Sequence, residues 1–426
     1  MKHLYIFNED SVAAAYGIGT YVRELASCLK KRFAVSVVCL FSDRHDKFQT
    51  ESVDEIEYIY IPAYDTYKMN NSNYTEYNNK YYAGVAKFMR TYIDLKEEII
   101  FQFNYNKQGV LVNQLKMHFT QATILFTIHS MTWTFAMNGD PNAFKKSVKS
   151  GNEDKIMIND LKTRSVYEAF LKEQELFRSA QHIISLSSAT YKLLKNIYKI
   201  DKNKISTIPN GLNDIFQKIS AKERTKLRDY YNIKEDEKIF LYVGRFEKTK
   251  GFLHLIKAFK DIVKSHSKCK LYLVGSGEVY YQEGLKEINP FFDKIILTGR
   301  LSQKEVYKFY QIADVGIIPS FHEQSSYTAI EMMMFGLYII SSNSYGLNEM
   351  FKDGINSQVV HTSYKKNEYE KKLFNAINKY LNSPQTEILQ LQEKARETYE
   401  KNYSLQIMYA KTLEAIAKLK PQTRKV

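Results

Sequence analysis

Two glutamates separated by seven residues, Glu323 and Glu331, are the side chains of this sequence best suited to bind a ligand. A helix start is predicted between them, and its free backbone N–H groups would face an anion because the helix dipole is positive there. Carboxylates beside that helix start can accept hydrogen bonds from sugar hydroxyl groups. The arrangement therefore suits a ligand that carries both a phosphate and a sugar.

The elements predicted around this pair would hold it at the edge of a sheet. The run 313–319 reads as a short buried strand that ends at a proline, and the apolar run 329–335 reads as a packed helix. The candidate N-caps of that helix are Ser325, Ser326 and Thr328. A second interpretation stays open, in which Thr328 and Glu331 form a capping box and Glu323 is a solvated loop residue.

The composition indicates a globular protein. With 426 residues the chain is long enough for two or three domains, and its 44% hydrophobic and 25% charged residues are usual for such proteins. Its cysteines, Cys28, Cys39 and Cys269, lie too far apart for a disulfide framework or a metal site. The basic start has too short an apolar core for a signal peptide, and no apolar run is long enough to span a bilayer. We therefore expect a cytoplasmic protein.

The net charge of +14 favours anionic partners such as nucleotides or anionic lipids. The lysines are spread along the chain, and the sequence has no arginine-rich arm, zinc-finger spacing or aromatic single-strand-binding signature. Nucleic acid is therefore not a predicted partner. A peripheral contact with the inner face of a membrane stays open.

Short apolar runs alternate with helical stretches, which is typical of parallel sheets with crossover helices. The predicted strands of the first half are 4–7, 35–40, 56–61, 99–103, 123–128, 183–186 and 205–208. A turn signal at 209–211 precedes the strands predicted at 238–243, 271–274, 295–297, 315–318 and 338–340. The sequence therefore predicts two similar α/β domains, at 1–210 and 211–383, followed by a helical segment at 384–426.

Two segments interrupt this alternation. Residues 64–80 are rich in Asn, Tyr and Ser and read as an extended loop. Residues 133–160 carry the only tryptophan and a lysine cluster and read as an insertion. Because such insertions commonly carry specificity elements in α/β enzymes, we expect both to contact a substrate.

Cationic and glycine-rich loops follow several predicted strands. Arg245 and Lys250 follow the first strand of the second domain, where open α/β sheets bind ligands, and two cations there would suit a diphosphate. The alternative is a pair of solvated basic residues. Gly17 and Gly19 break the chain after the first strand and permit close approach of a phosphate or sugar, although a structural turn would explain them equally.

Further candidates lie at the ends of other strands. His129 follows strand 123–128, where it would donate a hydrogen bond to a sugar or phosphate, or else would be a satisfied structural histidine. Gly275 and Arg300 lie on turns that bring backbone close to a nucleobase or ribose. The sequence has no HExxH, Gly-x-Ser-x-Gly or Walker pattern, so neither metal dependence nor acyl transfer is predicted.

Taken in order, these motifs resemble glycosyltransferase family four, the group-1 glycosyltransferases. The motifs are Gly-Ile-Gly-Thr at 17–20, Ile-Pro-Asn-Gly at 208–211, Val-Gly-Arg at 243–245 with Gly251, Val-Gly-Ser-Gly at 274–277, Ala-Asp-Val with Pro-Ser at 313–320, and the pair Glu323 and Glu331. The resemblance covers nearly the whole chain. It implies a retaining, nucleotide-sugar-dependent enzyme of GT-B fold, with two Rossmann-like α/β domains facing across a cleft and a C-terminal helix that crosses back to the first domain.

The resemblance also implies roles for individual residues. Arg245 and Lys250 would neutralise the donor diphosphate, Glu323 would contact the donor sugar, and His129 would lie near that sugar, which assigns all four to catalysis. The implied donor-binding residues are Gly17, Gly19, Gly244, Gly275, Arg300, Ser325, Ser326, Tyr327, Thr328 and Glu331. No metal or cofactor is implied beyond the nucleotide sugar itself. Segments 64–80 and 133–160 would form the acceptor side, for a glycan, a lipid-linked sugar or a peptide.

The chain departs from the family at one place. The family usually has Gly-Phe-Gly after the first glutamate, whereas Gln324, Ser325 and Ser326 follow Glu323 here, which leaves the identity of the donor open. Two other readings of the same motifs are a GT-B nucleotide-sugar epimerase and a phosphorylase that carries pyridoxal phosphate. A non-catalytic module with a basic binding surface is a third.

Overall fold

The computed structural model describes residues 2–10, 17–44, 46–63, 74–152 and 161–419. The chain divides into two compact units. The N unit comprises residues 1–136, 142–211 and 405–426, and the C unit comprises residues 137–141 and 212–404. Each unit is built on a sheet of its own.

An eight-stranded sheet forms the centre of the N unit. Its strands are β1 (Lys2–Glu9), β2 (Ala34–Ser42), β3 (Gln49–Val53), β4 (Ile56–Pro62), β5 (Glu98–Phe103), β6 (Thr123–Ile128), β7 (His182–Ser185) and β8 (Ile205–Thr207). They lie in the order β3-β4-β2-β1-β5-β6-β7-β8, and β3 pairs antiparallel with β4 while the other neighbours are parallel. The seven predicted strands are confirmed, and β3 is an addition to them.

A six-stranded parallel sheet forms the centre of the C unit. Its strands are β9 (Lys238–Val243), β10 (Cys269–Val274), β11 (Ile295–Gly299), β12 (Val315–Ile318), β13 (Tyr338–Ser342) and β14 (Gln358–Val360). They lie in the order β11-β10-β9-β12-β13-β14. Because all strands point the same way, the loops after β9, β10, β11 and β12 meet at one edge, where the predicted ligand-binding residues lie.

Helices pack on these sheets. Their bounds are α1 (Gly17–Leu29), α2 (Tyr74–Tyr92), α3 (Gly109–His118), α4 (Thr132–Ala136), α5 (Pro141–Asn152), α6 (Leu161–Ser179), α7 (Ser188–Asn196), α8 (Ala221–Tyr230), α9 (Phe252–Ser265), α10 (Glu278–Ile288), α11 (Gln303–Ile312), α12 (Tyr327–Met334), α13 (Leu347–Met350), α14 (Glu368–Asn382), α15 (Gln385–Asn402) and α16 (Leu405–Ala417). Helix α9 is an example of an amphipathic helix. Its apolar residues recur every three or four positions, so that Phe252, Leu255, Ile256 and Phe259 are buried on one face. Each such burial stabilises the fold by about 1.5–3 kcal/mol.

Several predicted elements have different bounds in the structure. Helix α1 begins at Gly17, so Gly17 and Gly19 lie in its first turn and do not break the chain before it. Helix α2 occupies 74–80 of the predicted loop, and residues 64–73 lie outside the described residues. Helices α4 and α5 fill most of the predicted insertion, of which 153–160 lie outside the described residues.

The C-terminal segment from residue 384 contains two helices rather than one. Helix α15 packs against α12 and β13 within the C unit. Helix α16 packs against α1 and belongs to the N unit. The return to the N unit is thus made by α16, after the chain leaves the C unit at Ser404.

Candidate active site

Glu323 lies on the loop between β12 and α12 and is paired with a cation. Its Oε1 atom accepts hydrogen bonds from Lys250 Nζ at 2.7 Å and from Ser320 Oγ at 2.9 Å. The side chains of Glu323 and Lys250 are only 12% and 20% exposed. The interpretation of Glu323 as a solvated loop residue is therefore wrong, and the structure brings two predicted site residues into direct contact.

Close backbone packing holds the Glu323 loop in place. Gly251 has a φ of +67°, and a Cβ atom there would lie 2.1 Å from the Pro319 carbonyl oxygen, so only glycine fits. On the other side, the Glu323 N–H donates to the Tyr345 carbonyl at 3.0 Å, and a Cβ atom on Gly346 would lie 2.2 Å from the Glu323 carbonyl oxygen. The loop is thus fixed between the segments after β9 and β13.

Arg245 lies on the same loop as Lys250 and also faces a carboxylate. Its Nη1 atom lies 2.7 Å from Glu247 Oε1, and its side chain is 37% exposed. The two cations of the predicted diphosphate clamp therefore each have an acidic partner on the protein. A phosphate that binds here has to share these cations with Glu247 and Glu323.

The start of α12 is capped by Ser326. Its side chain accepts a hydrogen bond from the Ala329 N–H at 3.4 Å, so one of the two serines that depart from the family pattern has a local structural role. The alternative capping box between Thr328 and Glu331 is wrong, because the Glu331 carboxylate points away from the start of α12 and towards α11. There it accepts hydrogen bonds from residues of α11.

Glu331 is buried and bound by two neutral donors. Gln303 Nε2 donates to its Oε1 atom at 2.6 Å, and the Tyr310 hydroxyl donates to its Oε2 atom at 2.8 Å. Burial raises the pKa of Glu331 to about 7, although both hydrogen bonds act in the opposite direction. This carboxyl group therefore changes its charge near neutral pH.

Glycines at the ends of three neighbouring strands lie close together. The Gly244 N–H donates to the Val274 carbonyl at 2.9 Å, and the Gly275 N–H donates to the Gly299 carbonyl at 3.0 Å. A Cβ atom on Gly275 would lie 1.8 Å from the Gly244 carbonyl oxygen. Arg300 follows at the same edge and is exposed. The structure thus brings the glycine loops of β9, β10 and β11 together at the edge that carries Lys250.

The remaining members of the predicted donor site surround the start of α12. Ser325 and Ser326 are buried, whereas Tyr327 and Thr328 are half-buried. His322, directly before Glu323, stacks on Tyr345 with ring centroids 4.9 Å apart. Burial, followed by the charge of Lys250, lowers the pKa of His322 to about 3, so this ring is neutral.

In the N unit, His129 follows β6 and is held by side chains of its own unit. Its Nε2 atom lies 3.1 Å from Asn104 Oδ1 and, because an amide oxygen only accepts, carries the proton. Its ring packs edge-on against Tyr21, whose hydroxyl lies 3.0 Å from Thr127 Oγ1. Burial lowers the pKa of His129 to about 3, so it acts as a neutral hydrogen-bonding group.

Helix α1 places the two N-terminal glycines near β6 within the N unit. Tyr21 of α1 reaches Thr127 of β6 and the ring of His129 after it. Gly17 is exposed and Gly19 is buried in the first turn of this helix. Both glycines and His129 therefore lie at the carboxyl edge of the N-unit sheet, and residues 11–16 before them lie outside the described residues.

Sequence reasoning missed Gln303, Tyr310 and Ser320. Gln303 and Tyr310 are seven positions apart on α11, a spacing that places both on one helix face, but nothing in the sequence shows that this face meets Glu331. Within the described ranges, no group of three or more His, Cys, Asp or Glu residues is arranged to hold a metal ion. No helix in that part of the chain is long and apolar enough to cross a membrane.

Two family models match the chain. The model for glycosyl transferases group 1 matches residues 223–404, and the model for glycosyltransferase family 4 matches residues 15–214. The first match contains Lys250, Glu323 and Glu331, and the second contains Gly17, Gly19 and His129.

Curated relatives match part of the chain. A 183-residue stretch is 30% identical to an uncharacterized glycosyltransferase of Methanocaldococcus jannaschii, covering 41% of this chain and 45% of that protein. A 160-residue stretch is 32% identical to lipopolysaccharide 1,2-N-acetylglucosaminetransferase of Salmonella typhimurium, covering 35% of this chain and 42% of that protein. The chain thus spans less than half the length of these relatives.

Solved structures match the chain over nearly its whole length. Sucrose-phosphate synthase from Thermosynechococcus elongatus superposes with a TM-score of 0.78 at 21% identity, covering 98% of each chain. HepE from Anabaena, solved with UDP and glucose, gives a TM-score of 0.73 at 14% identity and covers 98% of this chain and 100% of its own. At these identities the likeness shows the fold, which is the predicted GT-B fold.

Proposed function

We propose that this chain, which belongs to the group 1, family 4 glycosyltransferases, moves a sugar from a nucleotide-diphosphate sugar to an acceptor with retention of anomeric configuration. The observation that carries the proposal is the contact of Lys250 with Glu323 at the strand edge where α12 places Glu331. Such an edge is where open α/β sheets bind ligands.

The clamp on the loop after β9 would stabilise the departing diphosphate. Arg245 and Lys250 would bind its oxygens as charge-assisted hydrogen-bond donors. The N–H groups in the first turn of α12 would add the positive end of a helix dipole. These groups act most strongly as the bond from the anomeric carbon to the phosphate oxygen breaks, because negative charge then grows on the diphosphate.

Glu323 would act on the opposite charge. As the diphosphate departs, positive charge grows on the sugar ring, and the Glu323 carboxylate next to Lys250 would stabilise it. The acceptor hydroxyl would attack from the face that the diphosphate leaves and pass its proton to the departing phosphate oxygen, so that no protein nucleophile takes part. Glu331 would accept hydrogen bonds from the ribose hydroxyls of the donor, and His129, whose Nε2 proton is donated to Asn104, would accept one at Nδ1 as a neutral ring.

The comparisons suggest which donors to test first. HepE was solved with UDP and with UDP-glucose, and the Salmonella relative is named as an N-acetylglucosaminetransferase. UDP-glucose and UDP-N-acetylglucosamine are therefore the first probes, with the GDP and ADP sugars as alternatives. The acceptor class would be a glycan, a lipid-linked sugar or a peptide, and the proposed reaction uses no metal or cofactor.

A thermal-shift screen followed by product analysis tests the proposal. UDP, GDP, ADP and their glucose esters are screened against the protein, since a ligand that binds the folded state raises the midpoint of unfolding. The stabilising donor is then incubated with simple sugar acceptors, and the product is examined by NMR. An axial glycosidic bond formed from an axial donor supports retention. An inverted product would contradict it, and a changed nucleotide sugar with no acceptor consumed would indicate an epimerase.

A further inference from the structure

The contacts of Glu331 with α11 point to a role for two residues that no motif contains. We propose that Tyr310 and Gln303 are positioning residues, which orient the Glu331 carboxylate so that each of its oxygens accepts one hydroxyl of a vicinal diol, the ribose of a nucleoside diphosphate. This inference rests on the proposed function, because it assigns the nucleotide to Glu331.

Each oxygen of Glu331 has one partner from α11. Gln303 binds Oε1 at 2.6 Å and Tyr310 binds Oε2 at 2.8 Å, so the plane of the carboxylate is fixed at both ends. An ionised carboxyl group offers about four acceptor positions on its two oxygens. With one position taken on each oxygen, one position per oxygen remains. That geometry suits two neighbouring hydroxyl groups, such as the 2′ and 3′ hydroxyls of ribose.

Packing holds Tyr310 in place independently of this hydrogen bond. Its side chain is 1% exposed, and its ring lies 5.3 Å from the ring of Phe335, the C-cap residue of α12. Tyr310 therefore contacts α12 through its ring at Phe335 and through its hydroxyl, which binds Glu331 and also interacts with Thr328. Replacement by phenylalanine keeps the ring contact and removes the hydroxyl contacts with Glu331 and Thr328, so that Tyr310→Phe leaves the packing of α11 on α12 in place.

The two donors also keep Glu331 in the form that accepts hydrogen bonds. Its environment is buried, and burial favours the protonated acid. The hydrogen bonds from Tyr310 and Gln303 favour the carboxylate instead. Removal of either donor should therefore leave a larger fraction of Glu331 protonated at neutral pH, with one oxygen turned into a hydroxyl group.

The chain offers a matched control in a second tyrosine–glutamate hydrogen bond that involves α11. The Tyr231 hydroxyl donates to Glu305 of α11 at 2.6 Å, so Tyr231→Phe also removes a tyrosine–glutamate hydrogen bond to α11 but leaves Glu331 untouched. The test measures binding of UDP, GDP and ADP by calorimetry to five proteins. They are the wild type and the variants Tyr310→Phe, Gln303→Ala, Tyr231→Phe and Glu331→Ala.

For the nucleotide that the wild type binds best, Tyr310→Phe should weaken affinity about tenfold, because a hydrogen bond to a charged group is lost. It should also reduce the preference for that nucleotide over its 2′-deoxy form and move upward the pH midpoint at which the glucose ester of that nucleotide binds. Gln303→Ala should act in the same direction with a smaller effect, because Gln303 is exposed. Tyr231→Phe should have the nucleotide affinity, the 2′-deoxy preference and the pH midpoint of the wild type. In turnover assays the KM for the donor should rise while kcat stays near the wild-type value.

The outcomes separate the two claims. Nucleotide binding that Glu331→Ala abolishes but Tyr310→Phe and Gln303→Ala leave unchanged would overturn this inference and leave the proposed function standing. A wild type that binds none of UDP, GDP and ADP would overturn the proposed function and this inference with it. A loss equal in Tyr310→Phe and Tyr231→Phe, with no change in the 2′-deoxy preference or pH midpoint, would mean a purely structural role.

Discussion

The Glu323 carboxylate, on the loop before α12, and the Glu331 carboxylate, on α12 itself, have different kinds of hydrogen-bond partner. Glu323 has a cation, Lys250, at 2.7 Å and the Ser320 hydroxyl at 2.9 Å. Glu331 has two neutral donors in a buried setting that raises its pKa to about 7. We infer that the loop is built around charge for the chemical step, whereas the helix is built around hydrogen-bond geometry for recognition. Four predictions test this difference.

Removal of Lys250 should have the largest effect. Lys250→Ala deletes the cation expected to bind the diphosphate and leaves Glu323 without its charged partner, so kcat/KM should fall by about 10²–10³-fold. Lys248→Ala is the matched control, because Lys248 lies two residues away on the same short helical turn and is exposed. Steady-state kinetics with the preferred donor measures both. Equal values of kcat/KM in the two variants would mean that Lys250 does not bind the diphosphate.

Neutralisation of Glu323 should separate turnover from binding. Glu323→Gln keeps the size of the side chain but removes the charge that would face the sugar ring, so kcat should fall about 10²-fold. Affinity for the nucleoside diphosphate should stay within about threefold of the wild type, because Lys250 remains. Calorimetry and kinetics on one preparation give both values. A large loss of nucleotide affinity with unchanged kcat would reverse the roles of loop and helix.

Donor affinity should depend on the charge of Glu331. Because its pKa lies at about 7, the carboxylate fraction rises about tenfold between about pH 6 and pH 8, and affinity should rise by a similar factor. The glucose ester of the preferred nucleotide is the suitable ligand, since its diphosphate has no terminal phosphate that titrates in this range. In Glu331→Gln the rise should be absent. A pH dependence that survives in that variant would assign the effect to another group.

Glu331 should also make the protein less stable at higher pH. Its folded-state pKa is raised from 4.5 to about 7, so its contribution is most favourable below 4.5 and is lost as pH rises through 7. The loss corresponds to about 3 kcal/mol. Glu331→Gln should therefore unfold at higher denaturant concentration than the wild type at about pH 8 and similarly at about pH 5. If Glu331→Gln and the wild type unfold at the same denaturant concentration at both pH values, the raised pKa of a buried Glu331 would be contradicted.

The exposed residue Glu283 on α10 provides the control for that measurement. Glu283→Gln makes the same chemical change at the surface, where the carboxyl group keeps its contact with water. Its denaturation midpoint should therefore follow the wild type at both pH values. A shift shared by both variants would reflect net charge rather than the burial of Glu331.

Most strands were predictable because a strand that is buried on both faces has a continuous run of apolar residues. The strand β3 was not, since Gln49–Val53 is exposed along its whole length and has no apolar pattern. The three residues of β14 were too short a signal. Element bounds were also missed where glycine was read as a chain break, because Gly17 and Gly19 fit the first turn of α1.

The candidate site was predictable only as far as its motifs. Spacing placed Lys250 and Glu323 on loops after strands and Glu331 in the helix that follows, and the structure places them there. The direction of the Glu331 side chain was not predictable, since Thr328 and Glu331 have the spacing of a capping box and only the packing of α11 on α12 decides against it. For the same reason no local pattern could identify Tyr310, whose role depends on a residue twenty-one positions away.

A crystal structure of the protein with its preferred nucleoside diphosphate tests the central claim most directly. We predict two ribose hydroxyls within hydrogen-bonding distance of the two Glu331 oxygens, the Tyr310 and Gln303 contacts retained, and the diphosphate next to Lys250 and Arg245. A nucleotide bound away from α12, or one whose phosphates rather than its ribose face Glu331, would contradict the account.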